Sequence, residues 1–541
     1  MSAAENAVRP AAEAERGPAK VVGVIDIGAN AMRMVIAQVR PDGAIEELER
    51  TQRAVRLGHD TFTHGRLSQR AMNAALGVLR DCKKLLATYQ AEGVRAVATS
   101  AVREAANADA FVDRVAMAAD LDLEVLDPAE ESRLTVSAVR QAVQGVLDLG
   151  QAHALIAEVG GGSTLLTVLD RGAITASASY ALGSIRLQEH LATTQEPQAR
   201  AVALLRQQVS NVVEAIKRAL PLGKVNTFVA AGEEARFAAQ HIGQAAAPTG
   251  RVWTVEAKPF DRLVADCARL SPERLSKKHG LPLQSTERLV PAFLIYHALL
   301  HATPVERMLV CGVSMRDGLL LDLARRVTGA DDPELAEGVI QSARTIGEKY
   351  RYDAPHAEHV AALAVRLFDE LQGEHGLSPR HRLLLRVAAT LHEIGGFVSN
   401  RSHHKHSYYL IANSEVFGLR REEVLVAAHV ARYHRRAAPK PTHLEYLALP
   451  REDRIAVNKL AALLRVADAL DRGHARQVRD FHIERPPGEL VLYVRGVADL
   501  TVERRALEEK GDLFEDTYGL RLRLEEDAAP APDARRASPM E

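Results

Sequence analysis

Two stretches of the chain, 132 residues apart, repeat one layout: a buried apolar run, an acid, a glycine and a second apolar run. The offset places Asp26 on Glu158 and Gly28 on Gly160. An apolar run that turns at glycine and returns is typical of a β-hairpin, with strands here at residues 21–26 and 34–39 in the first copy and 155–158 and 165–169 in the second. Because the offset has the size of a domain, the repeat predicts two related α/β lobes and not a solenoid.

The pattern outside the hairpins changes along the chain. Strand-like runs followed by helical sequence are typical of an α/β region, and they occur at residues 94–99, 123–126, 225–231 and 308–313. Helical periodicity then dominates to about residue 474, before strand-like runs at residues 490–494 and 520–524. The sequence therefore predicts a disordered arm (1–19), lobe I (20–141), lobe II (142–328), an all-α domain (329–476), a small α+β unit (477–525) and a disordered tail (526–541).

Composition excludes several classes of protein. With 69 Lys and Arg against 70 Asp and Glu, and only 11 Phe, 11 Tyr and one Trp, the chain is not a generally basic nucleic-acid binder. The three cysteines, Cys82, Cys267 and Cys311, lie far apart, which argues against a disulfide scaffold and fits a reducing compartment. No apolar run approaches the roughly 18 residues that span a bilayer. We therefore expect a cytoplasmic protein without a membrane or a specific nucleic-acid partner.

The hairpins predict a site for phosphate. Backbone N–H groups of a glycine-rich turn point into one concavity and bind anions, and glycine permits close approach. A carboxylate at the strand end, such as Asp26 or Glu158, can hold a divalent cation beside the phosphate. An ordinary tight turn is the simpler interpretation of either hairpin alone. Two copies that face each other across a cleft would grip a phosphoryl chain from both sides.

Four motifs, in this order, give the chain a family resemblance: Val24–Asn30, Ala98–Ala105, Glu130–Leu134 and Val159–Thr164. Over residues 20 to about 320 the chain resembles the exopolyphosphatase/guanosine pentaphosphate phosphatase (Ppx/GppA) family. The resemblance implies a two-lobed, actin-like (ASKHA, ribonuclease H-like) core. It also implies Mg²⁺- or Mn²⁺-dependent hydrolysis of a terminal phosphoryl group, from polyphosphate or from the alarmone guanosine 5′-triphosphate 3′-diphosphate.

The resemblance also implies roles for ten residues, because each matches a position of the family's motifs. Glu131 matches the catalytic carboxylate that orients and deprotonates the attacking water, although an acid that merely opens a helix is the alternative. Asp26 and Glu158 match metal-associated positions. The phosphate-binding positions are matched by Asn30, Arg103, Gly160, Gly161, Gly162, Ser163 and Thr164, with Arg33 as a further candidate.

The chain also departs from the family's pattern. Glu158 stands where the family usually has Asp, and Leu165 replaces a second acid. Glu233 and Glu234 are expected to repel a polyanion near the phosphate pocket. We expect an exopolyphosphatase. The alternatives are a guanosine pentaphosphate 5′-phosphohydrolase and a catalytically weakened regulator that binds these ligands.

Histidine is concentrated in the helical part, where 12 of the 21 histidines lie between residues 341 and 480. The set His359, His392, Glu393 and Asp468 resembles the metal ligands of HD-type phosphohydrolases, which predicts an HD-like domain; helix packing is the alternative role for these side chains.

Two windows of the helical part, residues 395–414 and 424–443, contain no acid but several cations: Arg401, Lys405, Arg432, Arg435, Arg436 and Lys440. Such windows attract a polyanion, although a solvated helix end is the alternative. We expect them to guide polyphosphate, and we expect the helical domain to mediate a homodimer.

Overall fold

The computed structural model describes residues 19–246, 250–328, 333–435, 437–497 and 499–527. These residues form two compact units that divide between Leu335 and Ala336. Most of the predicted arm and tail, and Arg436, lie outside the described residues. None of the described helices combines the length and apolar character needed to cross a membrane.

Two sheets form the framework of the first unit. The first sheet has the order β3-β2-β1-β4-β5, with strands β1 (Lys20–Ile27), β2 (Ala31–Val39), β3 (Ile45–Ala54), β4 (Gly93–Ala98) and β5 (Leu123–Val125). The second sheet has the order β10-β11-β12-β9-β6-β7-β8, with strands β6 (His153–Val159), β7 (Thr164–Asp170), β8 (Ala173–Tyr180), β9 (Thr227–Ala231), β10 (Gln244–Ala245), β11 (Val252–Glu256) and β12 (Arg307–Cys311).

Twelve helices of the described part cover these sheets. They are α1 (Leu57–His64), α2 (Gln69–Thr88), α3 (Ser100–Arg103), α4 (Ala108–Ala119), α5 (Pro128–Val143), α6 (Ser184–His190), α7 (Gln198–Ala219), α8 (Glu233–Ile242), α9 (Ala257–Ala268), α10 (Pro272–His279), α11 (Leu283–His301) and α12 (Met315–Thr328). Strand β1 is buried on both faces, because Ile25 packs in one apolar cluster with residues of α2 and α4 while Val24 packs in another with residues of α5 and α12. This double coverage explains the continuous apolar run of β1.

The two sheets repeat one topology, as the sequence predicts. Strands β3-β2-β1-β4-β5 correspond in order and direction to β8-β7-β6-β9-β12: the first three of each set are antiparallel neighbours, and the parallel strands follow. We name β1–β2 the first hairpin and β6–β7 the second hairpin. The predicted pair of related α/β lobes is confirmed.

The second unit is helical with a small sheet. Its helices are α13 (Pro333–Lys349), α14 (Ala354–Glu370), α15 (Gln372–His375), α16 (Pro379–Leu391), α17 (His403–Ala412), α18 (Arg421–Arg432), α19 (Leu444–Leu447), α20 (Arg451–Ala469), α21 (Thr501–Lys510) and α22 (Asp512–Tyr518). Strands β13 (Phe481–Glu484), β14 (Glu489–Val494) and β15 (Arg521–Glu526) form the sheet in chain order. The buried Arg465 of α20 donates a hydrogen bond to the Asp512 carboxylate of α22 at 2.6 Å. This contact joins α20 to the helices that accompany the small sheet.

Candidate functional site

A cleft of the first unit contains most of the predicted site. Eight of the ten predicted residues line it: Asp26, Asn30, Glu131, Glu158, Gly160, Gly161, Gly162 and Ser163. They come from β1, α5, β6 and the turns of the two hairpins, so residues more than 130 positions apart meet in one cavity. This convergence is what the paired hairpins predict.

The two hairpin turns have the same backbone geometry. The N–H of Gly28 donates to the Ala31 carbonyl at 3.1 Å, and the N–H of Gly160 donates to the Ser163 carbonyl at 2.9 Å. The carbonyl oxygens of the turns accept hydrogen bonds from neighbouring segments: Ala29 from Gly58, Asn30 from Val55, Gly160 from Ser184 and Gly161 from Ile185. These carbonyl oxygens are already hydrogen-bonded. The backbone groups of the turns that an anion would meet are therefore the N–H groups that do not close the turns.

The turns also lie against each other. A Cβ atom added to Gly161 would lie 3.1 Å from the Cβ of Ala29, and one added to Gly162 would lie 2.1 Å from the Ser100 hydroxyl oxygen. The approach to Ser100 leaves no room for a side chain at position 162, whereas the contact of Gly161 with Ala29 is only tight.

Glu131 is placed by the start of α5. Asp127 is the N-cap, accepting a hydrogen bond from the N–H of Glu130 at 2.8 Å, and Pro128 follows it. Glu131 therefore lies in the first turn of a helix, as the alternative interpretation holds, and also lines the cleft. Glu131 is 6% exposed and its carboxylate pairs with the Arg103 guanidinium. Burial raises the pKa of Glu131 to about 7, although Arg103 opposes the shift.

The adjacent Glu130 has the opposite character. Burial alone would raise its pKa, but Arg133 and Arg95 outweigh burial and lower the pKa of Glu130 to about 2. Arg133 donates to both carboxylate oxygens, at 2.7 and 2.8 Å. Glu130 is therefore held as a carboxylate in structural ion pairs, whereas the raised pKa of Glu131 suits a general base.

The strand-end carboxylates are held differently. Asp26 lies 3.3 Å from the Nε of Arg316 and 4.0 Å from an Arg33 nitrogen. Glu158 accepts hydrogen bonds from the Thr135 hydroxyl and from the backbone N–H of Met315. Burial raises the pKa of both carboxyls, against these partners. Arginine thus balances Asp26, whereas mainly neutral groups hold Glu158.

Two predicted phosphate ligands do not line the cleft. Thr164 is fully buried and its hydroxyl donates to the Leu182 carbonyl, so its side chain does not face the cleft. Arg103 donates to the Glu131 carboxylate and to the Leu126 carbonyl. In this structure Arg103 is therefore a partner of Glu131.

The carboxylates expected to repel a polyanion are ion-paired. Glu233 lies 2.9 Å from Arg33 and 3.0 Å from Arg288, and Arg288 also lies 3.2 Å from Glu234. Arg316 adds a fourth contact, at 3.6 Å from Glu233. The expected repulsion is therefore offset by three arginines. Sequence reasoning missed Arg288, which lies within α11 without a motif, and Arg316, which follows strand β12.

In the second unit the predicted HD-like set is only partly assembled. The structure brings together His356, His392 and Glu393. His356 therefore takes the place predicted for His359, which lies half-buried one helical turn away. Asp468 approaches the set and pairs with Lys510.

Comparison with known proteins decides the family. A model of the Ppx/GppA phosphatase family matches residues 35–327, and a model of Ppx/GppA phosphatase domain III matches residues 340–492. The chain belongs to the Ppx/GppA phosphatase family. The prediction of a phosphohydrolase is thereby confirmed.

Relatives within this family carry both activities that the resemblance implies. The chain is 27% identical to guanosine-5′-triphosphate,3′-diphosphate pyrophosphatase of Aeromonas hydrophila over 73% of this chain and 76% of the relative. It is also 27% identical to exopolyphosphatase 1 of Mycobacterium leprae, over 56% of this chain and 88% of the relative. A crystal structure of an exopolyphosphatase from Cytophaga hutchinsonii matches with a TM-score of 0.51 and 22% identity, covering 58% of this chain and 99% of that one. The predicted actin-like core, helical third domain and extra small sheet are confirmed.

Proposed function

We propose that this member of the family is an exopolyphosphatase, which removes the terminal phosphoryl group of inorganic polyphosphate and releases phosphate. The observation that carries the proposal is the shared cleft, in which two turns with the same anion-binding geometry accompany the buried carboxylate of Glu131. A repeating chain of phosphates is a ligand that two facing anion sites can hold at once.

The acids of the cleft fit a magnesium ion. Asp26, Glu131 and Glu158 are buried in one cavity, where burial raises the pKa of both glutamates and the charge of Asp26 adds to that rise. Carboxylate oxygens are the ligands that Mg²⁺ prefers, and a divalent cation would offset this mutual repulsion. We assign Asp26 and Glu158 as the residues that hold Mg²⁺, or Mn²⁺. When bound, the ion supplies positive charge that offsets the charge of the phosphates.

Glu131 supplies the base. The oxygen of a water attacks the terminal phosphorus, and Glu131 accepts the proton that the water loses. The bond between that phosphorus and the bridging oxygen breaks, giving orthophosphate and a chain shorter by one phosphate. Phosphoryl transfer needs an oriented nucleophile and little covalent help from the protein, so positioning Glu131 through Arg103 is the protein's main contribution to the step.

The lining of the cleft favours polyphosphate over the alarmone. None of the described residues that line it is aromatic. A guanine base commonly gains binding energy by stacking on an aromatic side chain, whereas an inorganic phosphate chain needs only amides and cations. The A. hydrophila relative keeps guanosine pentaphosphate hydrolysis as the second candidate function.

Phosphate release from long-chain polyphosphate and from guanosine pentaphosphate, measured in one Mg²⁺ buffer, tests the proposal. We expect a higher kcat/KM for the terminal phosphate of polyphosphate. Faster release from the alarmone would assign the second function. Tight binding of either ligand with no phosphate release would identify a binding regulator, as Leu165 suggests.

We further propose that the second unit guides polyphosphate through its acid-free windows and mediates a homodimer in the cytoplasm. Exposed apolar side chains there, including Tyr409 at 65% and Leu444 at 76%, support an interface. The three buried, free cysteines support a reducing compartment. Light scattering on the full chain tests the dimer. The double variant Lys405→Gln/Arg435→Gln tests guidance: relative to the wild type, its KM should rise more for long polyphosphate chains than for short ones.

A further inference from the structure

Four imidazoles and one carboxylate converge within the second unit, in two triads that share Glu393. One triad joins Glu393 to His356 and His392, and the other joins it to His403 and His434; in each, the donor atoms lie within 4.8 Å of one another. The residues come from separate elements: α14, the end of α16, the start of α17 and the end of α18. Packing of four helices is therefore needed to assemble the cluster.

The rings are oriented as metal-binding imidazoles are. The Nδ1 atoms of His392, His403 and His434 each face a backbone carbonyl three residues earlier, at 2.7, 3.3 and 2.6 Å. The Nδ1 of His356 faces the Asp471 carboxylate at 2.8 Å. A carbonyl or carboxylate oxygen accepts a hydrogen bond, so each ring keeps its N–H on Nδ1 as the donor and turns the lone pair of Nε2 toward the cluster. Such outer contacts fix the tautomer of metal ligands.

Two of the four inward nitrogens have no hydrogen-bond partner among the described residues, and the other two face only each other. The Nε2 atoms of His356 and His392 are buried, and neither has a hydrogen-bond partner among the described residues. The Nε2 atoms of His403 and His434 face each other at 3.2 Å. With both protons on Nδ1, this contact sets two lone pairs together. Buried acceptors without a donor are costly, and a cation between them removes the cost.

The spacing of the donors matches shared ions. The Nε2 of His356 lies 3.9 Å from a Glu393 oxygen and 3.8 Å from Asp468 Oδ1, which is also 3.8 Å from the Nε2 of His392. Ligand atoms bonded to one ion at about 2.0–2.2 Å lie about 3–4 Å apart. The second oxygen of Asp468 pairs with Lys510, which leaves Oδ1 on the side of the cluster.

We propose that the second unit holds a two-metal centre of transition ions, with Glu393 between them, His356, His392 and Asp468 on one ion, and His403 and His434 on the other. Imidazole with carboxylate suits Mn²⁺, Fe²⁺, Co²⁺ or Zn²⁺, whereas all-oxygen sets suit Mg²⁺. The centre is distinct from the carboxylate cleft of the first unit and does not rest on the function proposed for it. Two of its histidines lie in the acid-free windows, so metal binding gives those windows a second role.

Metal titration of the full chain tests this centre. The protein is stripped with a chelator, held in excess Mg²⁺ to occupy the cleft, and titrated with Mn²⁺. We expect the wild type to retain about two more Mn²⁺ per chain than Glu393→Gln, the two ions of the centre, with an electron paramagnetic resonance signal of a coupled pair. Glu393→Gln should weaken both ions, while His356→Gln and His403→Gln should each weaken one. Asp471→Asn, which replaces the outer carboxylate partner of His356 by an amide, should weaken Mn²⁺ binding about 10–100-fold.

The neighbouring histidines provide matched controls. His359→Gln and His404→Gln change an imidazole beside the cluster but outside both triads, and should leave the Mn²⁺ content unchanged. If His356→Gln fails to fold, the partly exposed Glu393 still permits the test, because Mn²⁺ should raise the thermal midpoint of the wild type and not that of Glu393→Gln. Equal Mn²⁺ content in the wild type and Glu393→Gln, or none in the wild type, would overturn the proposal.

Discussion

The turn of the first hairpin carries Ala29 and Asn30, whereas the equivalent positions of the second, by the 132-residue offset, are Gly161 and Gly162. The hydrogen bond that closes each turn is the same. Packing accounts for part of the difference, because Gly162 faces Ser100 of α3 too closely for a side chain, while Gly161 lies tightly against Ala29. The repeat therefore preserves the backbone of the anion site, while packing around the second turn requires glycine at position 162.

The residues paired with the strand-end acids differ in the same way. Arg33 lies opposite Asp26 in the first hairpin, and Leu165 lies opposite Glu158 in the second. The first acid is consequently balanced by arginine, and the second depends on a hydroxyl and an amide. The two hairpins thus have the same backbone arrangement but different charges beside their acids. Because its hydrogen-bond partners are neutral, Glu158 is the more available ligand for a cation.

The largest expected effect is the loss of phosphate release when Glu131 is replaced, which should exceed that for either hairpin acid, Asp26 or Glu158. Glu131→Gln should lower phosphate release by about 10²–10⁴-fold, the usual contribution of a general base, because glutamine cannot accept the proton of the attacking water. Polyphosphate affinity should change little. Steady-state phosphate release and binding isotherms measure the two quantities.

Glu130→Gln is the matched control for that variant. Its carboxylate is buried in ion pairs with Arg133 and Arg95, so its loss should cost about 3–5 kcal/mol in the free energy of unfolding. Equal activity losses in the two variants, after correction for the folded fraction, would remove the special role of Glu131.

The next largest effect concerns the Mg²⁺ concentration that gives half-maximal activity, which should depend more on the acid of one hairpin than on that of the other. Glu158→Gln should raise the Mg²⁺ concentration for half-maximal activity about 10–100-fold, the scale on which metal-site substitutions act. Asp26→Asn should raise it less, because arginines already balance that carboxylate. Activity against Mg²⁺ concentration gives both values. A larger effect of Asp26→Asn would reverse the comparison.

The pH profile should report the raised pKa of Glu131. Since the ionised form accepts the proton, kcat/KM should rise with pH and level off above about 7, falling about tenfold at one pH unit below. Arg103 favours the ionised form, so Arg103→Met should move the rising limb to higher pH. A limb near the ordinary glutamic acid pKa, unchanged in Arg103→Met, would show that another group limits the rate.

The smallest effect concerns the turns themselves. Gly162→Ala places a Cβ against the buried Ser100 and should lower the free energy of unfolding by about 1–3 kcal/mol, the cost of overpacking. Asn30→Ala, at the equivalent position of the first hairpin, should leave stability nearly unchanged and weaken substrate binding. Urea unfolding and KM separate the two. Similar destabilisation by both variants would mean that the turns are packed alike.

Local motifs predict much of the fold and of the cleft. The hairpins and the position of Glu131 can be predicted from the sequence because each chemical group lies within a few residues of the turn or helix cap that places it. Strands β3 and β8 went unpredicted because they are half exposed and lack an apolar run.

Long-range pairs are not readable in this way. Arg288 and Arg316 reach the cleft from α11 and from the segment after β12, which only the tertiary fold brings there. His356 and His359 lie on one helix with similar neighbours, and the rotation of α14 decides which imidazole faces inward.

A crystal structure of Glu131→Gln with Mg²⁺ and a short polyphosphate tests most directly whether the two hairpins together hold the end of one phosphate chain. We expect hydrogen bonds to the terminal phosphates from backbone amides of both turns, within residues 28–31 and 160–163. A chain end bound by one turn alone, or outside the cleft, would contradict this arrangement.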